Sequence, residues 1–354
     1  MENNSKSRIN LKDLSFSELE IFINSLGVEK YRTKQVAEWI FKKGAASFHE
    51  MTNLSMDLRV RLESASRIGV PEIKARLISK RGDTVKYLFG LSDGQVAESV
   101  FMRHDYGISA CVSTQVGCRY ACRLCASGLG GLVRDLSPGE IYDQVLGMQQ
   151  DSGERISRLV IMGSGEPLDN YSATLTFIRN ITAPYGLNVG YRHITISTCG
   201  LAPGIRKLAL EKMPLTLAVS LHAPNDELRN QLVPVNRKYP LRELISACRD
   251  YARDTGRRVT FEYALIADVN DTRDHALELC RLLSGMLCHV NLIPVNPVVG
   301  KGIEPPSKQQ IELFKKILEE NMIAATVRRA FGADINAACG QLRQRAMGDV
   351  GREK

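Results

Sequence analysis

The sequence predicts an α/β protein in which a helical module and a short β meander precede a parallel sheet, either doubly wound or curled into a barrel. Three observations lead to this prediction. Apolar residues recur with helical spacing over residues 1–72. The apolar period shortens to two over residues 73–104, as in antiparallel strands. Strand-like and helix-like runs then alternate over residues 105–330, a pattern typical of repeated β-α-β units.

The first 72 residues are expected to form a compact helical module. Ser17 is a candidate N-cap for a first helix, and Gly27 follows its apolar stripe. A second helix is predicted near Thr33–Lys43, and a third contains Leu58 and Leu62 at helical spacing. In the meander that follows, Arg81-Gly82-Asp83 and Asp93-Gly94 predict tight hairpin turns.

Seven strands and several amphipathic helices are predicted in the alternating region. The strands are Ser109–Gln115, Arg158–Met162, His193–Ser197, Leu215–Leu221, Val259–Ile266, His289–Val295 and Ala325–Arg329. The helices include Pro138–Gln149, Leu241–Thr255, Arg273–Ser284 and Lys308–Glu320. Ligands of such sheets bind at the carboxyl ends of the strands, so the residues that end each strand are the first candidates for a site.

Composition narrows the functional classes. No apolar run approaches the roughly 20 residues that span a bilayer, and residues 1–12 lack an apolar signal core. We therefore expect a cytoplasmic protein that is not bound to a membrane. The net charge of +8 is compatible with a polyanionic partner but also with simple solubility, so it does not decide the function. Nine cysteines in a cytosolic chain are expected to be reduced.

Three of these cysteines form a cluster directly after the first predicted strand. Cys118, Cys122 and Cys125 can hold one side of a compact metal cluster. A zinc site would need a fourth ligand, and the closest downstream candidate is His193. Three thiolates leave one iron of a cluster open to a substrate. The alternative is a structural zinc or iron–sulfur site that a distant cysteine completes.

The spacing of the triplet in a β/α run resembles the motif of the radical S-adenosylmethionine (SAM) superfamily. The resemblance implies a partial (β/α)6 barrel and a 4Fe-4S cluster whose open iron binds the amine and carboxylate of SAM. Reduction then cleaves SAM to methionine and a 5′-deoxyadenosyl radical. Polar residues and glycines at other strand ends fit a nucleoside cofactor, although each one alone would be read as a satisfied strand-end residue.

Two further cysteines lie in unusual surroundings. Cys339 stands among small residues in Ala337–Leu342, where its thiol is expected to be accessible. Cys111 precedes the cluster motif on the first predicted strand and is expected to point into the same cavity, although a buried core cysteine is the simpler interpretation.

Together these segments resemble the RlmN family over nearly the whole chain. The matching motifs are Cys111–Cys118, Met162–Pro167, Ser220–Pro224, Asn291–Asn296 and Asp334–Leu342, with Tyr31–Lys43 and Met51–Leu62 in the accessory domain. By this matching, SAM would be bound by Gly165, Glu166, Ser197, Ser220, Leu221, His222 and Asn296. The domains would be residues 1–72 (RNA-binding accessory domain), 73–104 (meander linker), 105–330 (partial barrel) and 331–354 (C-terminal loop with Cys339).

The resemblance implies methylation of carbon 2 of an adenine in the peptidyl-transferase centre of 23S rRNA and, in some members, of the adenine 3′ of the tRNA anticodon. Two SAM molecules are used per turnover. Cys339 takes a methyl group from the first, and the radical derived from the second removes hydrogen from that methyl group. The carbon radical adds to the adenine, and Cys111 releases the product by forming a disulfide with Cys339. Glu98 matches the proton acceptor.

The same resemblance implies partners. The helical module and the Lys74–Lys86 hairpin would hold RNA phosphates while an extruded base enters the barrel, unless these cations are merely a solvated face. An unidentified reductase would supply the electron, and we expect a monomer.

Some positions depart from the family pattern. Ala126-Ser127-Gly128, Phe331–Asp334 and Cys199 differ from the usual residues, and the first two resemble the sister family Cfr, which methylates carbon 8. Residues at four other positions that separate the families are RlmN-like: Val116, Pro167, Ala223 and Pro294. A Cfr-type enzyme and an RNA-binding module with a structural iron–sulfur cluster are the two alternatives.

Overall fold

The computed structural model describes residues 8–296, 303–328 and 331–342. Its N-terminal module packs three helices against the rest of the protein. The elements are β1 (Ile9–Asn10), α1 (Phe16–Ser25), α2 (Tyr31–Ala37), α3 (Met56–Ala65) and β2 (Ser66–Arg67). A π-helical segment, Glu38–Lys43, continues α2, and β1 pairs with β2 in parallel.

The predicted N-cap of the first helix is wrong by two residues. The cap is Ser15, whose hydroxyl accepts from the backbone N–H of Glu18 while the Glu18 carboxylate accepts from the Ser15 N–H. Both serines have a glutamate three positions later, Glu18 after Ser15 and Glu20 after Ser17, so the capping-box pattern does not separate them. The helix begins at Phe16, which makes Ser15 the cap.

One ten-stranded sheet forms the centre of the molecule. Its antiparallel part contains β3 (Glu72–Ile78), β4 (Thr84–Gly90), β5 (Val96–His104) and β6 (Gly107–Cys111). Both predicted hairpin turns lie between these strands. A small separate sheet follows, made of the antiparallel strands β7 (Gln115–Gly117) and β8 (Leu132–Asp135).

The parallel part continues the same sheet from β6. Its strands are β9 (Ile156–Ile161), β10 (Ile194–Thr198), β11 (Thr216–Ser220), β12 (Val259–Leu265), β13 (Cys288–Pro294) and β14 (Ala325–Val327). Its helices are α4 (Pro138–Ser152), α5 (Tyr171–Thr182), α6 (Ala202–Leu210), α7 (Asp226–Leu232), α8 (Leu241–Thr255), α9 (Arg273–Leu283) and α10 (Lys308–Glu320). The strand order is β14-β13-β12-β11-β10-β9-β6-β5-β4-β3. Arg329, the predicted end of the last strand, lies outside the described residues.

The first predicted strand, Ser109–Gln115, is interrupted. It ends at Cys111 as β6, and the backbone N–H groups of Thr114 and Gln115 both donate to the carbonyl of Ser164 instead. Because β7 and β8 pair antiparallel, the segment between them becomes a closed hairpin loop. The Cys118 N–H donates to the Gly131 carbonyl at 2.9 Å. This hydrogen bond fixes the backbone of the first cysteine of the triplet.

The N-terminal module is fixed to the barrel through α4. The Lys12 ammonium lies 2.5 Å from the Asp143 carboxylate, and Lys12 is almost fully buried. The Tyr142 hydroxyl donates to the Phe41 carbonyl at 2.7 Å, and the two rings pack at 5.0 Å. In the described part of the chain, no helix has the length and apolar character that crossing a membrane requires.

Candidate active site

The carboxyl ends of the parallel strands surround one cavity that collects most of the predicted site. Its lining includes Cys118, Cys122, Cys125, Gly165, Glu166, Ser197, Ser220, His222, Asn296 and Cys339. Leu221 is different, because its side chain is fully buried outside the lining. Two other predicted residues, Cys111 and Glu98, do not line this cavity either.

The three cysteines line one end of the cavity. Among the described residues, no group of three His, Cys, Asp or Glu side chains is arranged to hold a metal ion. Burial raises the pKa of Cys118 to about 12 and also raises that of Cys125. Buried thiols of this kind need a cationic partner before they ionise, and an iron cluster supplies one. The residues therefore fit the 4Fe-4S cluster that the cysteine motif implies.

Cys122 has a thiol neighbour that the sequence did not suggest. A side-chain hydrogen bond from Cys199 lowers the pKa of Cys122, while burial raises that of Cys199. Nearby lies Arg229, which is fully buried on α7. It donates to the carbonyls of Cys199 (2.7 Å), Ser220 (3.1 Å) and Leu221 (3.1 Å). Arg229 thus ties together the ends of β10 and β11 and places a positive charge beside the thiols.

Glu166 is a buried carboxylate held by the backbone. Its Oε1 accepts from the Leu168 N–H at 3.0 Å and its Oε2 from the Cys199 N–H at 2.7 Å. Burial raises its pKa, so a cationic ligand such as an amine would stabilise the ionised form. The preceding Gly165 has φ +102°, and a Cβ there would lie 2.5 Å from that of Gln115. Glycine is therefore required at this turn.

His222 presents a defined tautomer to the cavity. Its Nδ1 accepts from the Ala264 N–H at 3.0 Å, and burial lowers its pKa to about 3. The ring is therefore neutral near pH 7, with its proton on Nε2. The backbone of His222 is left-handed, with φ +60°, and the Asn270 amide holds its carbonyl at 2.8 Å.

The loop that contains Cys339 docks on the cysteine loop. The Ala126 N–H donates to the Gly340 carbonyl at 2.7 Å, and the Ser127 hydroxyl donates to the Leu342 carbonyl at 2.6 Å. Gly340 has φ +81°, and a Cβ there would lie 2.7 Å from the Leu124 carbonyl oxygen. The Asn296 amide donates to the Cys339 carbonyl at 3.2 Å. These contacts place the exposed thiol of Cys339 beside the cysteine triplet.

A second cavity, of about 320 Å³, adjoins the first and contains Cys111. Cys339, Met162 and Arg328 line both cavities. Cys111 is buried, and burial raises its pKa to about 12. Cys339 therefore lies on the wall shared by the cavity of the cysteine triplet and the cavity that contains Cys111.

Glu98 lies on the face of the sheet that Cys111 shares. In the β5–β6 register Val100 is opposite Cys111, and Glu98 is two residues before Val100, so all three side chains are on one face. Glu98 is buried, 3.1 Å from the Lys86 ammonium, which also donates to the Asn336 carbonyl at 3.1 Å. Lys86 is only 5% exposed, so the expectation that the hairpin contacts RNA through this residue is wrong.

Comparison with known proteins identifies the chain. A model for the ribosomal RNA large subunit methyltransferase N-terminal domain matches residues 9–68, and one for the radical SAM superfamily matches residues 112–280. A probable dual-specificity RNA methyltransferase RlmN of Pelotomaculum thermopropionicum is 68% identical, over 96% of this chain and 92% of that protein. The chain belongs to the RlmN family. A second RlmN, from Desulforamulus reducens, is 55% identical over 97% of this chain and 98% of its own.

The fold comparison agrees with this assignment. The crystal structure of a radical SAM methyltransferase from Sphaerobacter thermophilus has a TM-score of 0.90 and 45% identity, covering 96% of this chain and 99% of that one. The predicted partial α/β barrel with a mostly parallel sheet is thus confirmed.

Sequence patterns missed several residues of this RlmN-family site. Arg229 gives no signal because an arginine on an amphipathic helix ordinarily faces solvent. Arg328 and Glu262 are separated in sequence, yet their side chains lie 3.6 Å apart in the cavity wall. Lys86 alternates with the apolar residues of β4, a pattern that predicts an exposed lysine. In the structure both faces of β4 are buried, and alternation alone does not indicate this.

Proposed function

We propose that this chain is a radical SAM methyltransferase that adds a methyl group to carbon 2 of adenine in 23S rRNA and in tRNA. The names of its relatives support a dual-specificity RNA methyltransferase. The observation that carries the proposal is the position of Cys339 on the wall common to both cavities. From there one thiol can meet SAM on one side and a nucleobase on the other.

Cys118, Cys122 and Cys125 would hold the 4Fe-4S cluster, which with SAM supplies a 5′-deoxyadenosyl radical when bound. Glu166 would accept hydrogen bonds from the amine of SAM, and the Nε2–H of His222 would donate to its nucleoside part. Ser197, Ser220, Gly165, Leu221 and Asn296 complete the set assigned to SAM. The buried Arg229 keeps the two strand ends that carry Ser197 and Ser220 at a fixed separation.

Cys339 would act first as a nucleophile. Its thiolate attacks the methyl carbon of one SAM, an S–CH3 bond forms, and S-adenosylhomocysteine leaves with the electron pair of the broken bond. Adenine carbon 2 is not nucleophilic, so a direct transfer of CH3⁺ to the ring fails, and a radical route through methylated Cys339 avoids that barrier.

Cys111 and Glu98 would complete the reaction at the second cavity, the one that contains Cys111. With the base attached to Cys339 through a methylene group, the Cys111 thiolate attacks the Cys339 sulfur. An S–S bond forms as the S–C bond breaks. The electron pair of the S–C bond stays with the methylene carbon, which takes up a proton and becomes the methyl group, and a later two-electron reduction by thiols restores both cysteines. Glu98, buried on the same sheet face, is the assigned proton acceptor for the hydrogen of carbon 2. All nine cysteines are free thiols in this structure, so the disulfide is a proposed intermediate.

The remaining partners follow from the same proposal. A cytoplasmic one-electron donor would reduce the cluster, and the enzyme would act as a monomer on RNA. Its N-terminal module would contribute exposed cations to the RNA phosphates.

The test is direct. Purified, reduced and reconstituted protein with methyl-labelled SAM is expected to gain one methyl group on Cys339 before any RNA is added, and Cys339→Ala is expected to lose both this label and RNA methylation. Cys288→Ala, which removes a half-buried thiol of β13 outside both cavities, is the matched control. A protein that never acquires the methyl group contradicts the proposal. Mass spectrometry of the modified RNA separates carbon 2 from a Cfr-type carbon 8 product.

A further inference from the structure

A third cavity, of about 740 Å³, opens at the amino ends of the parallel strands, at the opposite end from the cysteine loop. We refer to it as the basic mouth. Its wall contains Arg81, Arg103, Arg158, Arg192, Arg328, His104 and His193, against only Asp83 and Asp105. Five guanidinium groups around one opening create a positive potential that attracts a polyanion.

Two of these arginines form no ion pair among the described residues. Arg81 lies 3.3 Å from Asp83, and Arg103 lies 2.6 Å from Glu154. Within residues 8–296, 303–328 and 331–342, by contrast, no ion pair joins Arg158 or Arg192 to a carboxylate. Their guanidinium groups are thus available for phosphate oxygens, which they can bind with two parallel hydrogen bonds.

The mouth also contains an exposed aromatic platform. Tyr106 is 64% exposed, and its ring stacks on that of His104 with centroids 4.7 Å apart and planes 8° from parallel. The Arg158 guanidinium lies 4.8 Å from the Tyr106 ring centroid, and Phe331 packs edge-on against His104. Unpaired bases stack on such aromatic and guanidinium surfaces, whereas the bases inside a duplex are not accessible to them.

The basic mouth adjoins the cavity of Cys111. Met102, Val160, Arg328 and Phe331 line both spaces. Ser109 of the mouth precedes Cys111 by two residues on β6, and Arg158 precedes Val160 by two on β9, a separation of about 7 Å along each strand. A base held between Cys111 and Cys339 would therefore have its chain neighbour at the mouth.

We propose that the basic mouth binds the single-stranded nucleotide adjacent to the target adenine, with its base against Tyr106 and a phosphate between Arg158 and Arg192. The inference rests on the proposed function, because it takes RNA as the substrate. It extends that function by assigning a second nucleotide site, which reads an unpaired neighbour and so favours loops over duplexes.

Binding of an RNA stem-loop to the full-length protein without SAM tests this site. The target adenine lies in the single-stranded loop, and fluorescence anisotropy gives Kd over a range of salt concentrations. Tyr106→Ala is expected to raise Kd about tenfold, the usual effect of losing one base–aromatic stack. Arg158→Ala/Arg192→Ala is expected to reduce the slope of log K against log salt by about 0.7, for the loss of one neutralised phosphate.

Two further arms assign the effect to the mouth. Arg242→Ala/Arg281→Ala removes the same charge from exposed positions on the outer helices α8 and α9 and is expected to leave the slope unchanged. On stem-loops that lack either base next to the adenine, one abasic position is expected to abolish the effect of Tyr106→Ala. Unchanged Kd and slope in the mouth variants, equal losses in the control, or a Tyr106 effect that persists on both abasic RNAs would overturn the inference.

The proposed function is tested separately, by mass spectrometry of the peptide that contains Cys339, from the unmutated protein after incubation with SAM. A methylated Cys339 together with mouth variants that bind RNA normally refutes only the nucleotide site. An unmethylated Cys339 together with the predicted RNA-binding losses refutes only the methyl-transfer mechanism.

Discussion

Replacing Lys86 by methionine should destabilise the protein strongly. Lys86 and Glu98 are 5% and 3% exposed, and their charged atoms are 3.1 Å apart. Removing Lys86 takes a charged partner at 3.1 Å away from the buried Glu98 carboxylate, and breaking a buried ion pair in this way costs about 3–5 kcal/mol of unfolding free energy. The same change removes the hydrogen bond from Lys86 to the Asn336 carbonyl, a contact between the meander and the loop that contains Cys339.

A double-mutant cycle measures this interaction. Lys86→Met is expected to lower the melting temperature by roughly 6–10 °C, at about 2 °C per kcal/mol for a chain of this size. Lys86→Met/Glu98→Met should recover at least half of that loss, because an apolar pair of similar volume removes both buried charges together. Thermal melts followed by circular dichroism give both values.

An exposed pair of the same residue types provides the control. Lys316 and Glu320 lie 3.8 Å apart on α10, with 72% and 60% of their side chains exposed. Lys316→Met should cost less than about 0.5 kcal/mol, since solvent screens this pair. The reasoning fails if Lys86→Met costs no more than Lys316→Met, or if the losses of the two single buried variants simply add in the double variant.

Three other perturbations test the site. Arg229→Met should lower the melting temperature and weaken SAM binding, because three strand-end carbonyls lose their hydrogen-bond donor, at about 1–3 kcal/mol for each unsatisfied group. Arg229→Lys should restore only part of the lost stability, and full restoration would show that the positive charge alone suffices. Gly340→Ala should reduce methyl incorporation at Cys339, because its Cβ would lie against the Leu124 carbonyl at a residue with φ +81°. The melting temperature should change little, and normal methyl incorporation would contradict the docking of this loop on the cysteine loop. Below pH 6.5 His222 is protonated in the unfolded chain but not in the folded protein, where its pKa is about 3. The free energy of unfolding therefore falls as the pH falls from 6.5 towards 3. In urea unfolding at pH 7 and pH 5, His222→Asn should reduce this decline, and an unchanged decline would refute the assignment.

Local sequence was sufficient wherever neighbours in the chain are also neighbours in space. The spacing of Cys118, Cys122 and Cys125 predicted a cluster loop, and the alternation of strands and helices predicted a mostly parallel sheet. The turn at Asp93-Gly94 was correct for the same reason, because turns depend on the conformational preferences of two or three residues. Ser17 was misassigned because Ser15 and Ser17 are each followed by a glutamate three positions later, and only the structure shows that the helix begins at Phe16.

Tertiary structure alone decided how distant segments meet. Nothing in the sequence shows that Cys339 borders both cavities, that Arg229 is fully buried beneath Cys199 and Ser220, or that the inner face of Lys86 is covered by the C-terminal loop. Composition and periodicity describe one element at a time, whereas burial and pairing depend on what packs against it. The sequence by itself therefore determined the family and the barrel, and it predicted the cluster cysteines. The tertiary structure determined which of the remaining polar residues are buried and which are exposed and available to RNA.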